Sequence, residues 1–255
     1  MLDLIGQSEI DEEIVASLRQ VPLFSGLSAR ELAMLAARAH TLRLDKGKLI
    51  YVSGERAHSY YLVKSGWVRL FRETLDGAQA TRDILTAGHL FGETALFHNG
   101  TYDSSAEVVE DGVFLSLPLS DLQSLLAQSG DFARAMLGSI AQENQAQGRE
   151  LEHRDIQTAP QRIGCFLLRL IPTGQLDGPV TIHLPYDKTL VAARLGMQPE
   201  TFSRALARLR DETGIRIKGA TIEFDSIEQI THFTCAACSS SFPCDDLPAK
   251  KSCGH

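Results

Sequence analysis

The segment over residues 187–224, DKTLVAARLGMQPETFSRALARLRDETGIRIKGATIEF, constrains the fold of this 255-residue chain more than any other part. Its apolar spacing predicts two helices joined by a tight turn, followed by a β-hairpin. Gly196 suits the end of the first helix because glycine adopts the left-handed conformation there without strain. Pro199 suits the first turn of the second helix, where its missing N–H costs nothing. We therefore predict a helix-turn-helix with a following wing.

Each of these two helices has an apolar face and a polar face. The apolar positions are predicted to pack into a core, with two alanines allowing a close helix crossing: Leu190, Val191, Ala192, Ala193, Leu195, Phe202, Leu206 and Leu209. Helix-turn-helix geometry places the N-terminal residues of the second helix against base edges in the DNA major groove. There Arg204 can donate two hydrogen bonds to guanine, Glu200 can accept one from cytosine, and Ser203 can reach either base.

The local charge of this segment favours a DNA-facing role. Five basic and three acidic residues lie between positions 198 and 218, whereas the whole chain has a net charge of −7. A local basic patch is enough to bind phosphates, and Arg208, Arg216 and Lys218 suit contacts that position a protein on DNA. The candidate DNA-binding residues are Gln198, Glu200, Thr201, Ser203, Arg204, Arg208 and Lys218.

The first half of the chain has a different sequence pattern, with short helices followed by β-rich runs. Short helices are predicted over residues 9–20 and after Ser28, which forms a capping-box pattern with Glu31. From about residue 40 to 120, short β-rich runs alternate with turn signals, which favours an antiparallel barrel or roll. The turn signals are Asp45-Lys46-Gly47, Ser53-Gly54, Ser65-Gly66, Asp76-Gly77 and Ala87-Gly88.

A polar helix with one narrow stripe is predicted within residues 126–156. The stripe follows alternating three- and four-residue steps through Leu137, Ile140, Asn144, Gln147 and Leu151. Such spacing is typical of helices that pair with a copy of themselves, so we predict a homodimer with these residues at its interface. A solvated connector helix is the alternative. A break at residues 157–160 begins the next domain, and the predicted domains are 1–125, 126–156, 157–230 and 231–255.

Four cysteines crowd the end of the chain, in TCAACSSSFPCDDLPAKKSCGH: Cys235, Cys238, Cys244 and Cys253. The remaining cysteine, Cys165, is predicted to be a buried and inert thiol. Four thiolates can enclose an iron–sulfur cluster or a zinc ion. The spacing Cys-x2-Cys-x5-Cys-x8-Cys lacks the long loop of a zinc ribbon. Free or disulfide-forming thiols are the third alternative.

Composition narrows the classes of protein to which this chain can belong. The chain is 44% hydrophobic and 22% charged, as in soluble proteins, with no apolar run of transmembrane length and no signal-peptide pattern. We therefore expect a cytoplasmic protein without a membrane partner, in which thiols stay reduced. Nothing resembles a nucleophile–base pair, so we expect no enzyme activity. The alternative of another class is a thiol-redox enzyme that uses Cys235 and Cys238.

Several stretches resemble the CRP/FNR family, which is named for the cyclic-AMP receptor protein and the fumarate–nitrate reduction regulator. VPLFSGLSARELAMLA, KGKLIYVSGERAHSYYLVKSGWVRL and AGHLFGETALF resemble its cyclic-nucleotide-binding-type β-roll, and LGMQPETFSRALARLRDETGI resembles its DNA-recognition region. The resemblance runs from about residue 22 to 225. It implies an α+β fold with an N-terminal β-roll, a long dimerisation helix, a C-terminal winged helix-turn-helix and, here, a cysteine-rich tail.

The resemblance also implies a target and partners. Glu200, Ser203 and Arg204 fall on the family's base-reading positions. Their Glu-x-x-Ser-Arg pattern is similar to the FNR branch. This implies that a homodimer binds palindromic double-stranded DNA with TTGAT-like half-sites and works with RNA polymerase.

For the β-roll, the resemblance implies which effector is excluded. In nucleotide-binding members a Gly-Glu pair takes the ribose, and an Arg-Ser or Arg-Thr pair takes the cyclic phosphate. Gly92 and Glu93 are present, but Asp103 replaces the phosphate-binding arginine, with Ser104 after it. A carboxylate repels a phosphate, so we predict no cyclic-nucleotide site. Haem is another sensor ligand in the family. The candidate axial ligands here are His58, His89 and His98. The alternative for each of them is an ordinary surface histidine without a ligand.

The tail is therefore the predicted sensor. The FNR branch usually carries cluster cysteines near the N-terminus, where this chain has none. Some members hold a cluster in a C-terminal Cys-x2-Cys-x4-Cys-like motif, with a carboxylate as the alternative fourth ligand. The x5 gap and the additional Cys253 depart from that motif. We predict a regulator that senses redox state, oxygen or nitric oxide through an iron–sulfur cluster of the 4Fe–4S type, held by Cys235, Cys238, Cys244 and Cys253. The alternative keeps DNA binding but has structural zinc in the tail and a small effector or haem in the β-roll.

Overall fold

The computed structural model describes residues 12–171, 178–185 and 188–237. The chain divides into two compact units, residues 1–142 and 143–255. Within the described residues the first unit combines helices with an antiparallel sheet, and the second combines helices with a smaller sheet. The α+β class predicted from the sequence is confirmed.

The N-terminal unit opens with helix α1 over residues 12–19, a 3-10 turn over Pro22–Phe24, and helix α2 over Ala29–Arg38. Ser28 caps α2: its backbone N–H donates to Glu31 Oε2 at 2.8 Å, and its hydroxyl accepts from the backbone N–H of Glu31 at 3.3 Å. This confirms the predicted capping box. Ile14, Leu18 and Leu32 are buried in the core of this unit.

Six strands follow in the described part of this unit, and they form one antiparallel sheet. They are β1 (His40–Leu44), β2 (Leu49–Tyr51), β3 (Ser59–Glu73), β4 (Gln79–Leu85), β5 (Leu90–Phe91) and β6 (Ser105–Pro118). The order is β1-β6-β3-β4, with β2 also paired to β6 and β5 to β3. This is the roll that the short β-rich runs predict.

One predicted turn in the roll is wrong. The Ser65-Gly66 signal predicts a chain reversal, but β3 continues through it with irregular register against β6. Gly66 has a positive φ of 85°, and a Cβ there would lie 2.7 Å from both the Asp111 carbonyl oxygen and Gly112 Cα. The glycine therefore serves a bulge where two backbones approach closely.

Two helices follow the roll, α3 over Leu119–Gln128 and α4 over Gly130–Ile156. The hydroxyl of Ser129 accepts a hydrogen bond from the backbone N–H of Phe132 at 3.2 Å, which caps α4 at its N-terminus. The long polar helix predicted within residues 126–156 thus begins at Gly130. The boundary between the two compact units falls within α4.

The described C-terminal unit contains α5 (Ala159–Arg169), β7 (Val180–His183), α6 (Lys188–Arg194), α7 (Pro199–Thr213), β8 (Arg216–Lys218), β9 (Thr221–Phe224), α8 (Glu228–Thr234) and a 3-10 turn (Cys235–Ala237). Its sheet has the antiparallel order β7-β9-β8. Most predicted core positions are buried: Val191, Ala192, Leu195, Phe202, Leu206 and Leu209. Leu190 is half-buried, and Ala193 is exposed and so does not serve the helix crossing.

In the part of the chain that the structure describes, we find no helix both long enough and apolar enough to cross a lipid bilayer.

Candidate nucleic-acid interface

The turn between α6 and α7 has the geometry that the sequence predicts. Gly196 has a positive φ of 63°, and the backbone N–H of Met197 donates to the Ala192 carbonyl at 2.8 Å. Gln198 takes the extended N-cap position of α7, with Pro199 directly after it. Local chemistry therefore sets the angle at which α7 leaves α6.

One face of α7 is buried and the opposite face is open. Phe202, Leu206 and Leu209 pack into the core, whereas Glu200, Ser203 and Arg204 are exposed. These three line a shallow depression together with Pro199. Within the described residues Arg204 makes no ion pair, so its guanidinium is available to a partner molecule. Gln198 is also exposed, and Thr201 is half-buried beside them.

The cations predicted to contact phosphate already have carboxylate neighbours. Arg208 lies 3.7 Å from Glu212, and Lys218 lies 3.4 Å from Glu223. Arg216 contacts the same Glu223 at 3.4 Å and Asp225 at 2.8 Å. Hydrogen bonds from Arg216 hold the pKa values of Glu223 and Asp225 below their usual range. Because exposed ion pairs are weak, a DNA phosphate can compete for these cations, though at some cost.

The predicted dimer stripe lies on the surface of α4. Leu137 and Leu151 are 65% and 62% exposed, and Ile140, Asn144 and Gln147 are exposed as well. Exposed leucines in register along one helix are costly in a monomer because their apolar area stays in water. The stripe is therefore available for pairing, and the dimer stays a prediction.

Asp103 in the β-roll forms an ion-pair cluster with two arginines. A carboxylate oxygen of Asp103 accepts a hydrogen bond from Arg82, and the backbone carbonyl of Asp103 accepts one from Arg72 Nε at 2.7 Å. Arg72 Nη2 also lies 3.9 Å from Asp103 Oδ2. Sequence reasoning named Asp103 but neither arginine. The available signal was the Asp76-Gly77 turn, which pairs strands β3 and β4 and so brings both arginines to one end of the roll.

Aromatic rings occupy the adjacent interior of the roll. Tyr51 stacks on Tyr102 with 3.7 Å between ring centroids, and Tyr61 and Phe91 pack beside them. A Cβ on Gly92 would lie 3.2 Å from the Tyr102 ring. Burial raises the pKa of Tyr51 and Tyr102 well above the ordinary tyrosine value.

The candidate haem ligands do not lie in one group within the described residues. His58, His89 and His98 are all exposed, and His89 Nδ1 lies 2.9 Å from the Thr86 carbonyl oxygen. No group of three His, Cys, Asp or Glu side chains within the described ranges could hold a metal ion. The haem alternative stays a prediction.

Of the four tail cysteines, Cys235 alone lies in the described part of the chain; Cys238, Cys244 and Cys253 lie outside it. Cys235 begins the 3-10 turn after α8 and is half-buried against the apolar core of the C-terminal unit. Cys165 differs from its prediction: it is only half-buried, and its Sγ lies 4.0 Å from His153 Nδ1 at the wall of a polar cavity.

A β-roll followed by a winged helix-turn-helix with an open polar face defines a class, the DNA-binding transcription regulators with an effector-type domain. Family models agree: one for a cyclic nucleotide-binding domain matches residues 41–129, and one for a Crp-like helix-turn-helix domain matches residues 161–232. The Cyclic AMP receptor protein of Thermus thermophilus is 32% identical over 202 residues, which cover 79% of this chain and 91% of that protein. The chain belongs to the CRP/FNR family of transcription regulators.

Further relatives agree with this assignment. The Fumarate and nitrate reduction regulatory protein of Escherichia coli is 22% identical over 185 residues, covering 72% of this chain and 74% of that protein. A protein of Ruegeria pomeroyi DSS-3, whose crystal structure is known, is 31% identical in sequence to this chain. The two structures match with a TM-score of 0.69 over 88% of this chain and 97% of the other. FixK2 of Bradyrhizobium japonicum shares the fold, with a TM-score of 0.66 and 22% identity. The match covers 80% of this chain and 98% of the FixK2 chain. The curated relatives named above are regulators, in agreement with the prediction that this chain is not an enzyme.

Proposed function

We propose that this regulator works as a homodimer, reads palindromic TTGAT-like half-sites through α7, and is controlled by an iron–sulfur cluster in its cysteine-rich tail. The observation that carries the DNA-reading part is the open face of α7. Glu200, Ser203 and Arg204 lie together on it, and Arg204 makes no ion pair within the described residues. These side chains suit direct readout of base edges in a major groove. RNA polymerase is the further partner that family membership favours.

Sensing through the tail is supported by where the tail begins. Gln161 on α5 donates a hydrogen bond from Nε2 to the Phe233 carbonyl at 3.3 Å. Thr234 packs so closely on Gly164 that a Cβ there would overlap its hydroxyl. Cys235 is the next residue, and α5 packs against both α7 and α8. A change in the tail at Cys235 therefore acts on an element that supports the DNA-reading helix.

The donor set fits an iron–sulfur cluster. Cys235, Cys238, Cys244 and Cys253 would supply four thiolates, the ligands that such clusters take. A bound cluster would supply reactivity toward oxidants and diatomic gases, and hence the signal of redox state, oxygen or nitric oxide. Zinc held by the same thiolates would mainly stabilise structure.

The β-roll is proposed not to take a cyclic nucleotide, although the 32%-identical relative is named for cyclic AMP. Asp103 places a carboxylate where the family's nucleotide binders place an arginine. Arg72 and Arg82 are near but are engaged with Asp103. A cyclic phosphate would have to displace that carboxylate, which costs binding free energy.

The deciding experiment is purification without oxygen, followed by the visible spectrum and the iron, sulfide and zinc content. We expect a coloured protein with iron and sulfide, and loss of both in Cys235→Ser but not in the matched control Cys165→Ser. Binding to a TTGAT palindrome is then compared before and after exposure to air. Colourless wild type with stoichiometric zinc would refute the cluster. If no preparation prefers the palindrome over unrelated DNA, the proposal that α7 recognises TTGAT-like half-sites is wrong.

A further inference from the structure

A polar cavity lies within the C-terminal unit, away from the open face of α7. It is formed by the last turns of α4, by α5 and by the end of α6, and its volume is about 30 Å³. Its charged and amide-bearing walls are Glu150, Arg154, Gln157, Arg162, Arg169 and Arg194. Neither the DNA-reading proposal nor the cluster proposal uses this cavity.

Positive charge is in excess around the cavity. Four guanidinium groups line it, against a single carboxylate among the lining residues, that of Glu150. Arg194 donates two hydrogen bonds to this carboxylate, and Arg169 lies 3.8 Å from it. Within the described residues neither Arg154 nor Arg162 forms an ion pair, although the charge of Arg154 acts on Glu150 from farther away. Burial, with the nearby charge of Arg154, lowers the pKa of Arg162.

A buried amide in the cavity wall has unused hydrogen-bonding capacity. Gln157 is only 6% exposed, and neither Nε2 nor Oε1 of its side chain finds a partner among the described residues. The Nε of Arg162 is also buried and lacks one there. Buried polar groups are costly unless they are hydrogen-bonded, so these atoms point to a ligand rich in acceptor atoms.

We propose that this cavity binds one small inorganic oxyanion of the phosphate or sulfate type. A negative ion offsets the excess positive charge and accepts hydrogen bonds from Arg154, Gln157 and Arg162. About 10–15 Å³ is enough for one water, whereas drug-sized ligands take on the order of 300–1,000 Å³. The cavity is therefore sized for a small ion rather than for a nucleotide.

The bound ion would join α4 and α5 to the helix-turn-helix. The guanidinium carbon of Arg154 lies 3.9 Å from the position that a Cβ on Gly196 would occupy, in the turn between α6 and α7. Arg194 lies in the last turn of α6. An anion held by Arg154 would stabilise the position of the turn before α7.

The test is calorimetric titration of the full-length protein with inorganic phosphate at constant ionic strength in chloride, without DNA. We expect one saturable site per chain, weakened about tenfold or more in Arg162→Gln and in Arg154→Gln. The matched control is Arg134→Gln, an exposed arginine on the same helix α4, which should bind as the wild type does. If Arg162→Gln fails to fold, Arg154→Gln carries the test because Arg154 is exposed.

Two results would overturn the proposal. The first is that the wild type binds no free phosphate. If the Arg154 and Arg162 variants nevertheless lose DNA affinity, these arginines contact the DNA backbone and not a free ion, and the proposal is equally wrong. The second is an equal loss of phosphate binding in Arg134→Gln, which would indicate adsorption without a site. Since the titration uses no DNA and does not depend on whether the tail holds a metal, failure of the DNA-reading or cluster proposal leaves this result unaffected.

Discussion

The carboxylate of Glu150, near the end of α4, accepts two hydrogen bonds from the guanidinium of Arg194, in the last turn of α6; one of them is 2.9 Å long. Burial by itself would raise the pKa of Glu150. The hydrogen bonds from Arg194, together with the charges of Arg194, Arg169 and Arg154, outweigh burial and lower it. This bidentate contact ties the long helix to the first helix of the DNA-binding motif.

The Glu150 contact should make stability depend on pH in acid. Because the folded-state pKa lies below the unfolded value, the contribution is complete above the unfolded value of about 4.3 and is lost as pH falls through the folded value. Glu150→Gln should lower the free energy of unfolding by about 1–3 kcal/mol at neutral pH. Denaturant unfolding between neutral pH and acid measures this, with exposed Glu152→Gln on the same helix as the control. A difference from wild type that persists undiminished in acid would contradict the assignment.

Arg204→Ala should relax DNA specificity at one base pair of each half-site. Loss of a bidentate contact to guanine costs about 1–3 kcal/mol at that position and leaves the other positions unchanged. Competition binding with a set of half-site variants measures it, and exposed Arg30→Ala on α2 is the control for loss of charge. Unaltered operator preference would show that α7 is not the reading helix.

Gly164→Ala should loosen the contact between α5 and α8. An added Cβ would lie 2.1 Å from Thr234 Oγ1 and 3.2 Å from Thr234 Cβ and Cγ2, so we expect a destabilisation of about 1–3 kcal/mol. Thr234→Ala removes two of these three atoms and should restore part of the loss in the double variant. Denaturant unfolding of the four proteins measures the coupling. The control is Gly138→Ala on α4, where no atom beyond the chain neighbours and the helix's own backbone lies within 4 Å of the added Cβ. Additive losses at Gly164 and Thr234 would argue against the contact.

Charge placed in the α4 stripe should break the dimer. Leu137→Lys or Leu151→Lys would put an ammonium group into a desolvated helix pair, which opposes association. Sedimentation velocity across a concentration series measures the oligomeric state. Leu75→Lys replaces a fully exposed leucine in the β3–β4 connection and should leave the dimer intact. Variants at 137 and 151 that remain dimeric would place the interface elsewhere.

Cyclic AMP should show no saturable binding to the wild type in calorimetry. Asp103→Asn removes the charge that repels a phosphate and should raise any residual affinity. Asp45→Asn, also in a connection of the roll, is the control for a change in net charge. Tight binding by the wild type would mean that Arg72 or Arg82 leaves Asp103 to bind the ligand.

Local sequence signals account for the features that were predicted correctly. The Ser28–Glu31 capping box, the left-handed Gly196 and the buried Phe202 depend on residues only a few positions apart. Such short-range signals are nearly independent of the rest of the chain, because each satisfies backbone groups or packing periodicity within one or two turns. The helix-turn-helix and its open face were readable for this reason.

Other features depend on residues far apart in the chain, and these only the tertiary structure decided. Gly66 lies at a bulge because the backbone at Gly112 on the neighbouring strand approaches it closely. Asp103 is paired because the strand register places Arg72 and Arg82 beside it. The cavity at Gln157 likewise requires arginines from three separate helices. Alternation and periodicity specify which face a side chain occupies, but not which distant face it meets; that depends on strand register and helix packing.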